Sequence, residues 1–164
     1  MALDFDQSYL NVIASTPYIQ SVARQGRQII KLETFTYNVV IGTAATPLTL
    51  ANGNVTATLT TQADSDFAFA YLSGGVNIAA NGDLKFSRNV TLQIQDQSTG
   101  KLFFNQATVM QNVMGGGGFP FVFPAPRVIL PNASLLFTAR NRDTLQDYNQ
   151  MFLALTGTKI YYAS

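Results

Sequence analysis

The chain has 164 residues, 47% of them apolar and only 12% charged, with a net charge of +1. That length suits one domain able to bury a core without staples, and the charge content is well under the usual ~25%. Scattered Lys and Arg argue against electrostatic capture of nucleic acid. The absence of Cys and His removes disulfides, thiolate metal sites, the commonest general base and the commonest metal ligand.

The chain opens "MALDFDQSY", with no basic head and apolar run of the secretory kind, and no stretch is apolar for long enough to span a membrane. Over 17–31 a helical wheel gathers Ile19, Val22, Gly26, Ile29 and Ile30 in one arc, opposite Gln20, Arg24, Arg27 and Lys31. Thr16 is placed to cap such a helix and Pro17 fits its first turn, whereas Gly26 and the branched Ile29-Ile30 pair favour an extended arm. Both alternatives stay open. Residues 1–33 are expected to form an N-terminal arm or short helix lying across a neighbour, and 34–164 a single β domain.

From residue 34 onward short stretches alternate with period two. "TFTYNVVIG" sets Phe35, Tyr37, Val39 and Ile41 on one face. "NVTATLTT" sets Val55, Ala57 and Leu59 against Thr56, Thr58 and Thr60. "DFAFAYLSGG" is expected to put Phe67, Phe69 and Tyr71 on one side. "NVTLQIQD" is the cleanest, with Val90, Leu92 and Ile94 inward. "KLFF", "ATVMQNVM", "RVILP", "SLLFTARN" and "MFLALTGTKIYY" read as further strands. Asn-Gly pairs in "ANGN" and "NGD", and the turn "DQSTGK", punctuate them. About eight strands with no helical period between them predict an all-β antiparallel sandwich, an eight-stranded jelly roll.

Between two of these strands lies "VMGGGGFPFVFPAPRVILP". No Gly-Lys-Ser/Thr follows the glycines, so this is not a phosphate loop. Two readings stand: a connection between sheets whose rings cap the core, and an interaction loop pre-organised by proline. A mixture is expected, with pairing resuming at "RVILP". The candidate partner interface is Tyr9, Leu10, Val12, Ile13, Tyr18 and Ile19 in the arm, with Phe119, Phe121, Phe123, Pro124, Pro126 and Arg127 in the strap.

Catalytic chemistry finds little support. There is no Ser-x-x-Lys motif, Glu33 is the only glutamate, and the aspartates mostly sit beside turn residues. Asp64-Ser65-Asp66 resembles the start of a calcium loop without its later acidic ligand. "ARNRDTLQDY" has two readings, a solvated loop with local ion pairs and a polar rim contact of the kind in which Arg is enriched at protein interfaces. No catalytic, cofactor or metal residues are assigned.

Taken together, "PLTLANGNVTATLTTQADSDFAFAYLSGG", "VTLQIQDQSTGKLFFNQ", "GFPFVFPAPRVILPNASLLFTARN" and "YNQMFLALTGTKIY" resemble structural virion proteins of tailed bacteriophages. The resemblance covers about residues 34–162. It is closest to capsid decoration (cement) and minor head proteins. It implies a non-enzymatic β-sandwich made in the host bacterial cytoplasm and located on the capsid surface. Its partners would be the major capsid protein and copies of itself, as trimer or dimer, with neither nucleic acid nor membrane. A neck, collar or tail component is the alternative. Another is a receptor- or carbohydrate-binding sandwich, with Tyr9, Tyr18, Tyr71, Tyr148, Tyr161 or Tyr162 stacking on sugars, though the chain lacks tryptophan.

Overall fold

The computed structural model describes residues 17–79, 84–85, 89–115 and 120–163. A short helix α1 (Pro17–Val22) precedes β1 (Ile29–Ile41), β2 (Asn54–Thr60), β3 (Asp66–Ile78), β4 (Leu84–Lys85), β5 (Val90–Asp96) and β6 (Thr108–Val109). A single helical turn α2 (Met110–Val113), then β7 (Phe121–Ile129), β8 (Ser134–Asn141) and β9 (Tyr148–Tyr162) complete the described chain. One antiparallel sheet has the order β1-β9-β3, with β7 and β4 both on the far side of β3, and the other has the order β2-β8-β5-β6. Sheets ordered 1-9-3-7 and 2-8-5-6 are the jelly-roll connection, so the expected fold stands, with β4 as a small addition.

Alternation explains the core. Tyr37, Val39 and Ile41 of β1 meet Phe67, Phe69, Leu72 and Val76 of β3 and Met151, Leu153 and Leu155 of β9. The second sheet contributes Val90, Leu92 and Ile94 of β5 and Leu135, Phe137 and Ala139 of β8. Each of these large side chains stabilises the fold by roughly 1.5–3 kcal/mol on burial. The rings make a chain of edge and offset contacts, Phe35 to Tyr37 to Phe67 to Phe69.

Several expectations need correction. In β3, Phe69 faces Gly157 and Tyr71 faces Thr156, which leaves Ala70 as a bulge without an opposite number. A bulge shifts the alternation by one, so Leu72 enters the core while Tyr71 is 40% exposed on the outside. Gly157 permits the close pairing there, since a Cβ on it would lie 2.2 Å from the Ala68 carbonyl oxygen.

The stretch "ATVMQNVM" yields only a two-residue strand before turning helical. Met110, Val113 and Met114, spaced three and four apart, all point into the core. "KLFF" makes one bridge, Leu102 to Gln95, as the return arm of a tight turn that Asp96 closes by accepting the Ser98 and Thr99 amides.

The helix expected as one alternative for 17–31 is confined to Pro17–Val22. Gly26 turns the chain with φ of 76°, and Ile29 already begins β1. The first strand thus takes in residues 29–33 of the stretch 1–33.

Candidate interface surfaces

α1 lies against the outer face of the β1-β9-β3 sheet, opposite the sandwich core. Ile19 and Val22 pack with Ile29, Ala68 and Ile160 in a second apolar cluster. Ile19, expected at a partner interface, is therefore turned inward and 3% exposed. The reason is its spacing of three from Val22, which puts both on the face toward Ala68, whose small side chain leaves room. Tyr9, Leu10, Val12 and Ile13 lie outside the described residues, as does the side chain of Tyr18.

The helix is fastened by charge. Arg24 Nε and Nη2 donate to the two carboxylate oxygens of Asp66 at 2.8 and 2.6 Å, and Asp66 is 1% exposed. This hydrogen bonding raises the guanidinium pKa above its usual value and fixes its charge. The Arg24 amide donates to the Tyr162 hydroxyl at 2.9 Å, while Arg24 and Arg27 both stand 5.8 Å from the Tyr162 ring centroid. Burial, first, pushes the Tyr162 hydroxyl pKa up. Asp64 turns to other partners, accepting from Ser65 and standing 3.6 Å from Lys159 Nζ. The two carboxylates of Asp64-Ser65-Asp66 thus face different cationic side chains, Lys159 and Arg24. Among the described residues no group of three or more acidic side chains gathers as a metal site.

The strap is itself a strand, and pairing does not wait for "RVILP". Phe121 and Val122 pair with Leu72 and Tyr71, and Arg127, Val128 and Ile129 pair with Phe69, Ala68 and Phe67. The residues between, Phe123 to Pro126, bulge opposite Ala70 alone. Pro124 and Pro126 have no amide hydrogen to offer a ladder, so an edge strand with an outward bulge is where they fit.

Phe123 is half-buried, with its ring centroid 4.9 Å from Phe69, 6.3 Å from Phe104 and 5.3 Å from Phe121. It is chiefly a core lid. Arg127 is exposed yet engaged within the chain, donating to the Phe103 carbonyl at 2.8 Å and sitting 5.2 Å from that ring. Pro126 is half-buried, and Phe119 and the Pro124 side chain lie outside the described residues. On the outer face of the sheet the strap presents Val122, 55% exposed, which no sequence signal singled out.

Val122 borders a broad outer face. Register places Val40, Phe152 and Gly75 in one row, Asn38, Ala154 and Ser73 in the next, and Thr36, Thr156, Tyr71 and Val122 in a third. None of these side chains is charged. Val40 is 45% and Phe152 36% exposed, and Thr36 and Thr156 share a hydroxyl hydrogen bond of 2.8 Å. A charge-free surface with apolar islands is the kind that protein partners cover.

At one end of the core, Lys159 is 2% exposed although nothing but its inward place in "LTGTKIYY" marks it. Its Nζ donates to Gln62 and lies 4.2 Å from the Phe35 ring centroid. Beside it Glu33 accepts from Lys31 at 2.8 Å and from the Tyr161 hydroxyl at 3.0 Å, which together hold its carboxyl below the usual range. The network is closed and stabilises the end of the sandwich.

The arginine-rich stretch is likewise structural. Asn141, fully buried, donates to the Leu48 and Gln146 carbonyls and accepts from the Asp143 amide. Asp143 accepts from the Leu145 amide, the main cause of its lowered pKa, and from the Tyr148 hydroxyl. Among the described residues the ion pairs expected for Arg140 and Arg142 do not form.

Among the described residues no helix is long and apolar enough to cross a membrane. No protein-family model matches the chain, and no curated protein matches its sequence.

Proposed function

We propose that the chain is a structural virion protein of a tailed bacteriophage, a decoration (cement) protein that binds the major capsid shell and stabilises it. The observation that carries this reading is the charge-free outer face around Val40, Phe152, Tyr71 and Val122 on a rigid jelly roll. The motifs from "PLTLANGN" to "GTKIY" add the resemblance to virion proteins. A domain of this kind acts by burying surface shared with neighbouring shell subunits, which raises the free energy needed to separate them. The latched α1 gives the preceding residues a fixed point of departure beside that face, as an arm reaching a neighbour requires.

A sugar-binding role has one observation in its favour, an open recess of about 310 Å³ lined by Thr46, Asn52, Asn54, Val55 and Thr56. Among the described residues that lining includes no ring on which a sugar would stack, so the shell reading stands first.

Two measurements test it. In purified virions the protein is expected at a copy number comparable with the major capsid protein; a handful of copies per particle would move it to the neck or tail. Val122→Ser is expected to weaken capsid binding while leaving the melting temperature near that of the parent. Phe123→Ser, which opens the core beside Phe69, should lower stability by about 2 kcal/mol or more. Undiminished capsid binding by Val122→Ser together with a Val40→Ser/Phe152→Ser variant would overturn the assignment of this face.

A further inference from the structure

We propose that the free edge of β1 is a self-association surface. There a second copy of this chain pairs antiparallel with the identical strand about a two-fold axis at Asn38. The inference stands whether or not the virion reading does.

An exposed strand edge presents a row of unpaired N–H and C=O groups, and proteins ordinarily blunt such edges with proline, charge, bulges or short length. This fold blunts two of its edges. β7 carries Pro124 and Pro126 in a bulge, and β6 has only 2 residues. β1 is different. It has 13 residues, and its pairing with β9 runs without a break from Lys31 opposite Tyr161 to Ile41 opposite Met151. Its stretch Thr34–Ile41, "TFTYNVVI", holds no proline, no glycine and no charge. Among the described residues no strand pairs with its other side. β2, the free edge of the second sheet, has 7 residues and turns a row of exposed Asn and Thr outward.

The strand is also complementary to itself. A two-fold axis perpendicular to the sheet carries inner face onto inner face, so only registers centred on a residue of the ladder keep apolar side chains together. Centring on Asn38 uses residues 35 to 41 of both copies. Phe35 then meets Ile41 and Tyr37 meets Val39 on the core side; on the outer side Thr36 meets Val40 and Asn38 meets its own counterpart. Centring one residue earlier would bring Glu33 opposite Ile41. The Asn38 register thus excludes both charged residues of the strand, Lys31 and Glu33, while Val40 and Phe152 continue the outer face across the axis.

The chain has no cysteine, so single cysteines report cleanly. Directly opposite Cβ atoms in such a ladder lie about 4.5–5.5 Å apart, close enough to cross-link with slight adjustment. Asn38→Cys is expected to oxidise to a covalent dimer, whereas the exposed Asn54→Cys on β2 stays monomeric. Sedimentation of the parent should show a dimer. Thr36→Lys/Val40→Lys, which sets lysine against lysine at both outer pairs, should weaken its dissociation constant about tenfold. Thr36→Lys/Val40→Glu, which sets opposite charges there, should restore association. Both changes fall on exposed positions and should leave the circular dichroism melt near the parent's. A parent that sediments as a monomer at about 100 μM overturns the proposal. So does cross-linking of Asn38→Cys no faster than Asn54→Cys, or equal association by the two charge variants.

Discussion

The fastening of α1 allows a quantitative test through Arg24→Ala. Deleting one member of a fully buried ion pair costs about 3–5 kcal/mol, because the remaining charge is left without a partner. Here Asp66 is 1% exposed, but the Arg24 side chain is 39% exposed, so water enters where the guanidinium stood. Roughly half that loss is expected, about 2 kcal/mol. In a chain of this size that corresponds to a fall of about 4–8 °C in melting temperature. A ceiling also applies. α1 is held otherwise by Ile19, Val22 and the Tyr162 contacts, so a larger penalty would peel the helix away and solvate Asp66.

Urea denaturation followed by circular dichroism measures the loss, and limited trypsin cleavage after Arg27 reports the peeling. Arg24→Ala/Asp66→Ala should cost clearly less than the sum of the two single changes, since it leaves no buried charge unpaired. Unfolding of Arg24→Ala within about 0.5 kcal/mol of the parent with unchanged cleavage, or two losses that simply add, would show that the pair does not fasten α1.

Two further outcomes are expected. Gly157→Ala would bring a methyl group to 2.2 Å from the Ala68 carbonyl and 3.0 Å from the Phe67 ring, and the backbone of a paired strand cannot retreat. It should cost more than about 3 kcal/mol, read as a collapse of the melting temperature, and a loss under about 1 kcal/mol would refute the close approach. In acid, Glu33, Asp64 and Asp143 all have folded-state pKa values below their usual 4.5, 3.8 and 3.8. Their contribution is therefore complete above that range and is lost as pH falls through the lowered folded values, because the unfolded chain takes up protons first. Urea midpoints measured from about pH 6 to about pH 3 should fall at the acid end, less steeply in Asp143→Asn; identical slopes would exclude the Asp143 contacts as a cause.

Much of the sandwich was legible because β5 and β8 bury one face each, so strict alternation in "NVTLQIQD" and "SLLFTARN" reports it directly. The bulge at Ala70 was not. "FAFAYL" reads as unbroken alternation, and alanine is small enough to be buried on either side of a sheet. The strap misled for a related reason: its prolines signal interruption, yet an edge strand tolerates them when its bulge faces away from its partner. Ile19 looked available to a partner because helix periodicity shows that a face is apolar without showing what covers it. Lys159 and Asn141 are buried polar residues; Gln62, which accepts from Lys159, and Leu48, one of the partners of Asn141, are distant in sequence, and no local pattern announces those two contacts.

The central place of β9 has a consequence for how the protein is made. Its partners β1 and β3 begin at Ile29 and Asp66, more than eighty residues upstream, and no other described strand pairs with β1. Until the 15 residues of β9 have emerged from the ribosome, the first strand has no mate, and the apolar sides of β1 and β3 lack the strand that fits between them. Closure of this half of the molecule therefore waits on the synthesis of β9, however early β1 and β3 are made. A chain interrupted before Tyr148 would leave two long, sticky strands, β1 and β3, available to any neighbouring nascent chain.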